Sequence, residues 1–216
     1  MLFTHHSLLT VPASVASIIV MQDDFTGTTI NTVKWTVTDP VDSVIVSQNG
    51  NLRFNFTHAG TVVAIPPVNY LQSILTITTG AVQSYTNKSG GNGNAPRGMF
   101  MWLDANNFAG IIRGATDVSK ARLYLSDNNV AIYNFQTTLA IDNNIFKITL
   151  DGTNVKYWYW NTTQWTQLGT TQTHANFTGN KTILLTGGDA TTDTSGYNYY
   201  DDAYLTNADY STQYPT

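Results

Sequence analysis

Short runs in which apolar and polar residues alternate recur along nearly the whole chain, separated by Asn, Asp and Gly. A period of two predicts antiparallel strands joined by tight turns. Val44-Ile45-Val46 is followed by Asn49-Gly50, a dipeptide suited to a two-residue hairpin, and then by Leu52-Arg53-Phe54-Asn55-Phe56, whose alternation puts Leu52, Phe54 and Phe56 on one face. Three further pairs share this grammar. Met99 to Leu103 turns at Asp104-Ala105-Asn106-Asn107 into Phe108 to Arg113, and Ala121 to Leu125 turns at Ser126-Asp127-Asn128-Asn129 into Val130 to Phe135. Ile145 to Leu150 turns at Asp151-Gly152 into Val155 to Trp160. Two glycine-rich stretches, 87–96 and 187–196, read as surface loops. Near the ends, Asp23-Asp24-Phe25-Thr26-Gly27 leading to Trp35, and Tyr199 to Leu205, read as first and last strands lying side by side, so that everything between them belongs to one closed architecture.

Composition strengthens this picture. The 216 residues can enclose a large core as one domain. Charged residues are 11%, aromatics are 12%, and all 14 acidic residues are aspartate because the chain has no glutamate. Thr, Val, Ile and Tyr suit strands, and Asn, Asp and Gly suit turns; little remains to furnish helices. A formal charge of −4 with only 10 scattered Lys and Arg offers phosphates no basic stripe, which argues against nucleic-acid binding. Without cysteine there is neither a disulfide framework nor a thiolate metal site. The segment Met1 to Met21 is mostly apolar, but His5, His6 and Pro12 interrupt it and no basic residue precedes it, so it fits neither a secretory signal nor a membrane span. The expected layout is an apolar N-terminal arm or first edge strand over 1–21, a sandwich over 22–207 and a tail over 208–216.

The ordered pieces Asp23-Asp24-Phe25 with Trp35, Met101 to Phe108, Phe146 to Gly152 with Val155-Lys156-Tyr157, Trp165, and Asp201-Asp202-Ala203-Tyr204-Leu205 resemble the concanavalin A-like lectin and glucanase superfamily in its laminin-G-like, non-catalytic branch. The resemblance covers roughly Gln22 to Asn207. It implies an all-β fold, a jelly-roll sandwich of two antiparallel sheets. Members of that superfamily include glycan-binding modules, glycoside hydrolases, polysaccharide lyases and virion proteins, and fold alone does not choose among them.

The hydrolases of this fold carry Glu-x-Asp-x-x-Glu on one strand, because retention of configuration needs an acid and a nucleophile on the same sugar. This chain has no glutamate and no Asp-x-Asp that would put two carboxylates on one strand face, so no catalytic residue is assigned. Gln172-Thr173-His174 resembles the Gln-x-His element of the lyases, but their Tyr-x-Lys-x-Gly-x-Tyr companion is missing, and a solvated loop histidine is the plainer reading. The resemblance also implies a structural calcium tying first strand to last, with Asp202 as the main carboxylate and Asp24 as its neighbour.

On Val155-Lys156-Tyr157-Trp158-Tyr159-Trp160, the family pattern turns Val155, Tyr157 and Tyr159 inward. That leaves Trp158 and Trp160, with Lys156, as a surface for glycans or a protein partner. Phe100 and Trp102, with Arg113, form a secondary set for which core packing is the competing role. Three functions remain open. A virion structural or decoration protein, of a phage and on the virion surface, reconciles an extracellular-type composition with the lack of an export signal; its N-terminal arm would dock virion proteins, host glycans could be bound, and symmetric homo-oligomers would be expected. The alternatives are a lectin-like carbohydrate-binding module of a secreted or surface protein, and a carbohydrate-active enzyme.

Overall fold

The computed structural model describes residues 19–38, 44–56, 65–67, 69–89, 97–113, 119–187 and 196–208. Most of the expected N-terminal arm and C-terminal tail, and segments 90–96 and 188–195 of the expected loops, lie outside these residues. The strands in chain order are β1 (Ile19–Asp23), β2 (Trp35–Thr38), β3 (Val44–Gln48), β4 (Leu52–Phe56), β5 (Tyr70–Ser73), β6 (Gly80–Ser89), β7 (Arg97–Trp102) and β8 (Phe108–Arg113). They continue with β9 (Lys120–Asp127), β10 (Val130–Ala140), β11 (Asn144–Asp151), β12 (Asn154–Trp160), β13 (Trp165–Thr173), β14 (Thr182–Gly187) and β15 (Gly196–Thr206). Among the described residues there is no helix. One sheet runs β13-β12-β11-β6-β15-β4-β3 with β1 also paired to β15, and the other runs β10-β9-β8-β7-β14-β5-β2. All pairings are antiparallel, and the two sheets form an all-β jelly-roll sandwich.

The four hairpins predicted from alternation form as β3–β4, β7–β8, β9–β10 and β11–β12. The two ends of the fold are neighbours: β1 lies on β15, with Asp23 opposite Ala203. Asp23 explains the Asp-Asp-Phe motif and its distant tryptophan. Its Oδ1 accepts the Phe25 N–H at 3.0 Å and its Oδ2 accepts the Trp35 Nε1–H at 2.8 Å, so a buried carboxylate fixes both the turn after β1 and the first ring of β2. Lys34 Nζ, 3.7 Å from Asp23, donates to the Gln22 carbonyl at 2.7 Å.

The core lies between the inner faces, where Leu52, Phe54, Val82, Phe146, Ile148, Val155 and Tyr157 of the first sheet meet Met99, Met101, Ile111, Leu123, Ile183 and Leu185 of the second. Strands β7, β8 and β14 are buried along their whole length. Their outer face holds a second apolar cluster of Phe100, Trp102, Phe108, Ile112 and Leu184, in which Trp102, Phe108 and Tyr124 stack in succession at 5.0 and 5.8 Å. Double-sided burial hides the alternation that would betray a half-exposed strand. β14 therefore reads in sequence only as the short apolar run Ile183-Leu184-Leu185.

Strand β15 holds the sandwich together. Its first half pairs with β4, its second half with β1, and both halves with β6 on the other side. From its middle, the buried Tyr200 hydroxyl crosses to the opposite sheet. There it accepts the Gly98 N–H at 2.9 Å and lies 2.5 Å from the Thr186 carbonyl and 2.9 Å from the Gly98 carbonyl. Burial drives the phenol pKa upward, so the group stays protonated and can donate.

At the far end of the same strand, Gly80 opens β6 with φ +125°, and a Cβ there would run into the Thr206 carbonyl and the Asn207 backbone. Tyr200→Phe leaves a buried N–H and carbonyl unsatisfied and should lower stability by about 1–3 kcal/mol in denaturant titration. Gly80→Ala should cost more than about 1 kcal/mol by the same measurement, because both its φ and its space are wrong for a side chain.

Candidate functional site

Strand β12 divides its large residues between two environments. Val155 and Tyr157 belong to the core and Tyr159 packs against it, while Lys156, Trp158 and Trp160 lie on the outer face and are half-buried. The sheet register extends this face across six strands. Gln167 of β13 lies opposite Trp158, Trp158 opposite Lys147 of β11, Lys147 opposite Gln83 of β6, Gln83 opposite Tyr204 of β15, and Tyr204 opposite Gln22 of β1. No carboxylate stands in this row. A parallel row on the same face contains Lys156, Thr149, Ala81 and Thr206.

The aromatic end of the face is held rigidly. Trp158 donates its Nε1–H to Thr149 Oγ1 at 3.0 Å, and the buried Lys147 ammonium lies 5.5 Å from the Trp158 ring and 4.3 Å from the Trp165 ring. Such cation–π contacts strengthen where water is excluded. Trp165 lies opposite Trp160, and their rings meet edge to face at 5.4 Å and 67°. Three indoles and one ammonium thus form one platform. Beside it, a cleft of about 420 Å³ opens between the start of β6, the β11–β12 turn and the end of β15, lined by Thr79, Gly80, Thr149, Leu150, Asp151, Lys156, Asn207 and Ala208. Lys156 and Asp151 bring opposite charges to its wall.

The other residues singled out in the sequence go elsewhere. Phe100 and Trp102 sit in the buried cluster outside the second sheet, at 0% and 8% exposure. Arg113 does not join them: alternation along β8 turns it to the core side, where burial, and then the Arg97 charge, pulls its pKa down to about 10. Arg97 itself donates through Nη2 to Asp142 at 2.8 Å.

Asp24 and Asp202 each lie one residue past the Asp23–Ala203 pair. The exposed Asp24 carboxylate accepts from the Thr26 N–H at 3.2 Å and the Thr26 hydroxyl at 3.0 Å, bonds that hold its pKa below the usual carboxylate value. Among the described residues, no group of three or more His, Cys, Asp or Glu converges; a calcium at Asp24 and Asp202 would draw its remaining oxygens from backbone carbonyls. At Asp201-Asp202 the β15–β6 register shifts, which breaks strict alternation, and burial, then Asp202, raises the Asp201 pKa. His174 is not a solvated loop residue: it is 5% exposed and packs edge-on against Phe177 at 4.8 Å.

Sequence reading missed Lys147, Thr149, Trp165 and Gln83. The signal was available in the hairpin itself, since pairing back from the Asp151–Asn154 turn sets Lys147 against Trp158 and Thr149 against Lys156.

No protein-family model and no curated protein sequence matches the chain. Solved structures do. A β-glucanase of Bacillus licheniformis superposes with a TM-score of 0.63 at 13% identity, over 85% of this chain and 96% of that one. A prokaryotic β-1,3-1,4-glucanase (lichenase) derived from a mouse hindgut metagenome gives 0.64 at 11% identity, over 85% and 97%. A xylan β-1,4-xylosidase from Bacillus halodurans gives 0.62 at 12% identity, over 85% of this chain but 38% of the enzyme. These neighbours are glycoside hydrolases and none is a virion protein, which corrects the expectation of a virion decoration protein; what the likeness shows of this chain is its fold. The glucanases share the two-sheet antiparallel sandwich over 85% of this chain.

Proposed function

We propose that this protein binds carbohydrate on the outer face of the β1-containing sheet without cleaving it. Sugar rings stack on Trp158 and Trp160, and hydroxyls enter the adjoining cleft to meet Lys156, Asp151, Thr149 and Asn207. The carrying observation is the pairing of a fixed aromatic platform with a row that holds indole, ammonium, amide and phenol but no carboxylate.

Stacking on indole suits the apolar faces of sugars and costs little rotor entropy, the more so when Thr149 and Lys147 have already set the Trp158 ring. Hydrolysis asks for something else. It needs two carboxyl groups about 5–5.5 Å apart for retention or about 6.5–9.5 Å for inversion, with one kept protonated. The middle of this row offers Lys147 instead. The likeness to glucanases and a xylosidase supports a carbohydrate ligand, and the chemistry of the row supports retention of that ligand intact.

In affinity electrophoresis through mixed-linkage β-glucan and through xylan, the wild-type protein should be retarded by at least one of the two. Trp158→Ala should weaken that retention about tenfold or more, a loss on the order of 1.4 kcal/mol, while Trp158→Phe keeps part of it. Wild-type mobility in both gels would refute glycan binding here. Release of reducing ends from either polymer by the wild-type protein, abolished by an aspartate substitution, would establish the hydrolase reading in its place.

A further inference from the structure

A second cleft, of about 620 Å³, lies on the other side of the β11–β12 turn. Asp151 lines the first cleft and Thr153 the second, together with Asp127 at the end of β9, Ile132 on β10, and Thr173, His174 and Ala175 at the end of β13. This region does not touch the tryptophan platform, and its chemistry is different.

The His174 ring is fixed by its own turn. Its Nδ1 accepts the Phe177 N–H at 2.9 Å, which places the proton of the neutral imidazole on Nε2. Burial, opposed by Asp127 and assisted by the Lys181 charge, lowers the histidine pKa, so the neutral ring is the form present at pH 7. That Nε2–H is buried and has no acceptor among the described residues. Buried polar groups are nearly always satisfied, so an orphan donor in the wall of a cleft calls for a partner from outside.

An acceptor-rich neighbour stands in the same wall. Asp127 takes the Ala175 N–H on Oδ2 at 3.1 Å, with the Asn176 amides beside it, and a carboxylate has lone pairs left over. Ile132, 41% exposed, adds an apolar patch, and Thr153 and Thr173 complete the lining with hydroxyls. A donor, an acceptor and an apolar patch are the complement of one ligand group, a hydroxyl on a carbon ring, because its oxygen accepts one hydrogen bond while its hydrogen makes another.

We propose that this cleft is a second binding subsite for a neutral sugar, in which one ligand hydroxyl accepts from His174 Nε2–H and donates to Asp127 while the ring's apolar face covers Ile132. The assignment does not depend on the platform at Trp158.

Imidazole resonances of the full chain, followed by NMR during titration with D-glucose and with cellohexaose, test it directly. Saturable movement of the His174 Nε2–H signal with at least one sugar is expected, unchanged in Trp158→Ala. His174→Asn is the informative variant: its side-chain oxygen can still take the Phe177 N–H, preserving the turn, while the outward donor is lost. It should keep the wild-type thermal midpoint to within a few degrees and bind at least fivefold more weakly, about 1 kcal/mol. His174 signals that stay fixed at saturating concentrations of both sugars would overturn the proposal. So would wild-type affinity in a folded His174→Asn, or a Nε2–H that exchanges magnetisation only with a trapped water.

Discussion

The Tyr200 hydroxyl joins the two sheets at the centre of the sandwich, bonded to Gly98 and Thr186 of one sheet while its backbone pairs within the other. It belongs to β15, which pairs with β6, β4 and β1 at once. Every strand of the first sheet is therefore registered, directly or through one neighbour after another, against this one strand. The outer face bearing Trp158 inherits that register. Tyr204, Gln83, Lys147 and Trp158 line up across four strands only because β15, β6, β11 and β12 are locked in a single set of cross-strand pairs.

The platform shows how contacts within a sheet fix the aromatic side chains on its outer face. Indoles on an outer face would ordinarily be free to turn. Here Thr149 accepts from the Trp158 ring nitrogen, Lys147 lies against two rings, and Trp165 props Trp160 edge-on. Each of these contacts is made within the sheet by residues of β11 and β13, so the shape of the platform is set by the fold itself. The glucanase-like architecture is the scaffold, and the side chains set on it, not the fold, determine what chemistry this face offers.

Much of the scaffold was legible in the sequence. The alternation of Leu52 and Phe54 against Arg53, the Asp151-Gly152 turn and the kinship of the terminal strands correspond to observed pairings, while Asn49-Gly50 lies in a three-residue loop, with Gln48 opposite Leu52, in place of the expected two-residue turn. What resisted reading was the centre of the second sheet. Phe100 and Trp102 carry the alternation of a strand with an exposed aromatic face, yet that face is covered, because β7, β8 and β14 are buried on both sides. Burial on two sides erases the polar half of the pattern. Lys147 was overlooked for the opposite reason: a lone lysine between apolar neighbours looks like ordinary solvent-facing alternation until the partner across the strand is known to be tryptophan. His174 could be singled out by motif, but its burial came from Phe177, three residues on, through a turn with no distinctive signature.

That the keystone strand follows all the other described strands has a consequence during synthesis on the ribosome. Until Gly196–Thr206 emerges, the facing margins of β6 and β4 have no strand to fill the gap between them, and both present unsatisfied N–H and C=O groups. A nascent chain stopped short of that point is therefore a pair of sticky half-sheets, open to capture by other chains. Those eleven residues join the half-sheets into one sheet.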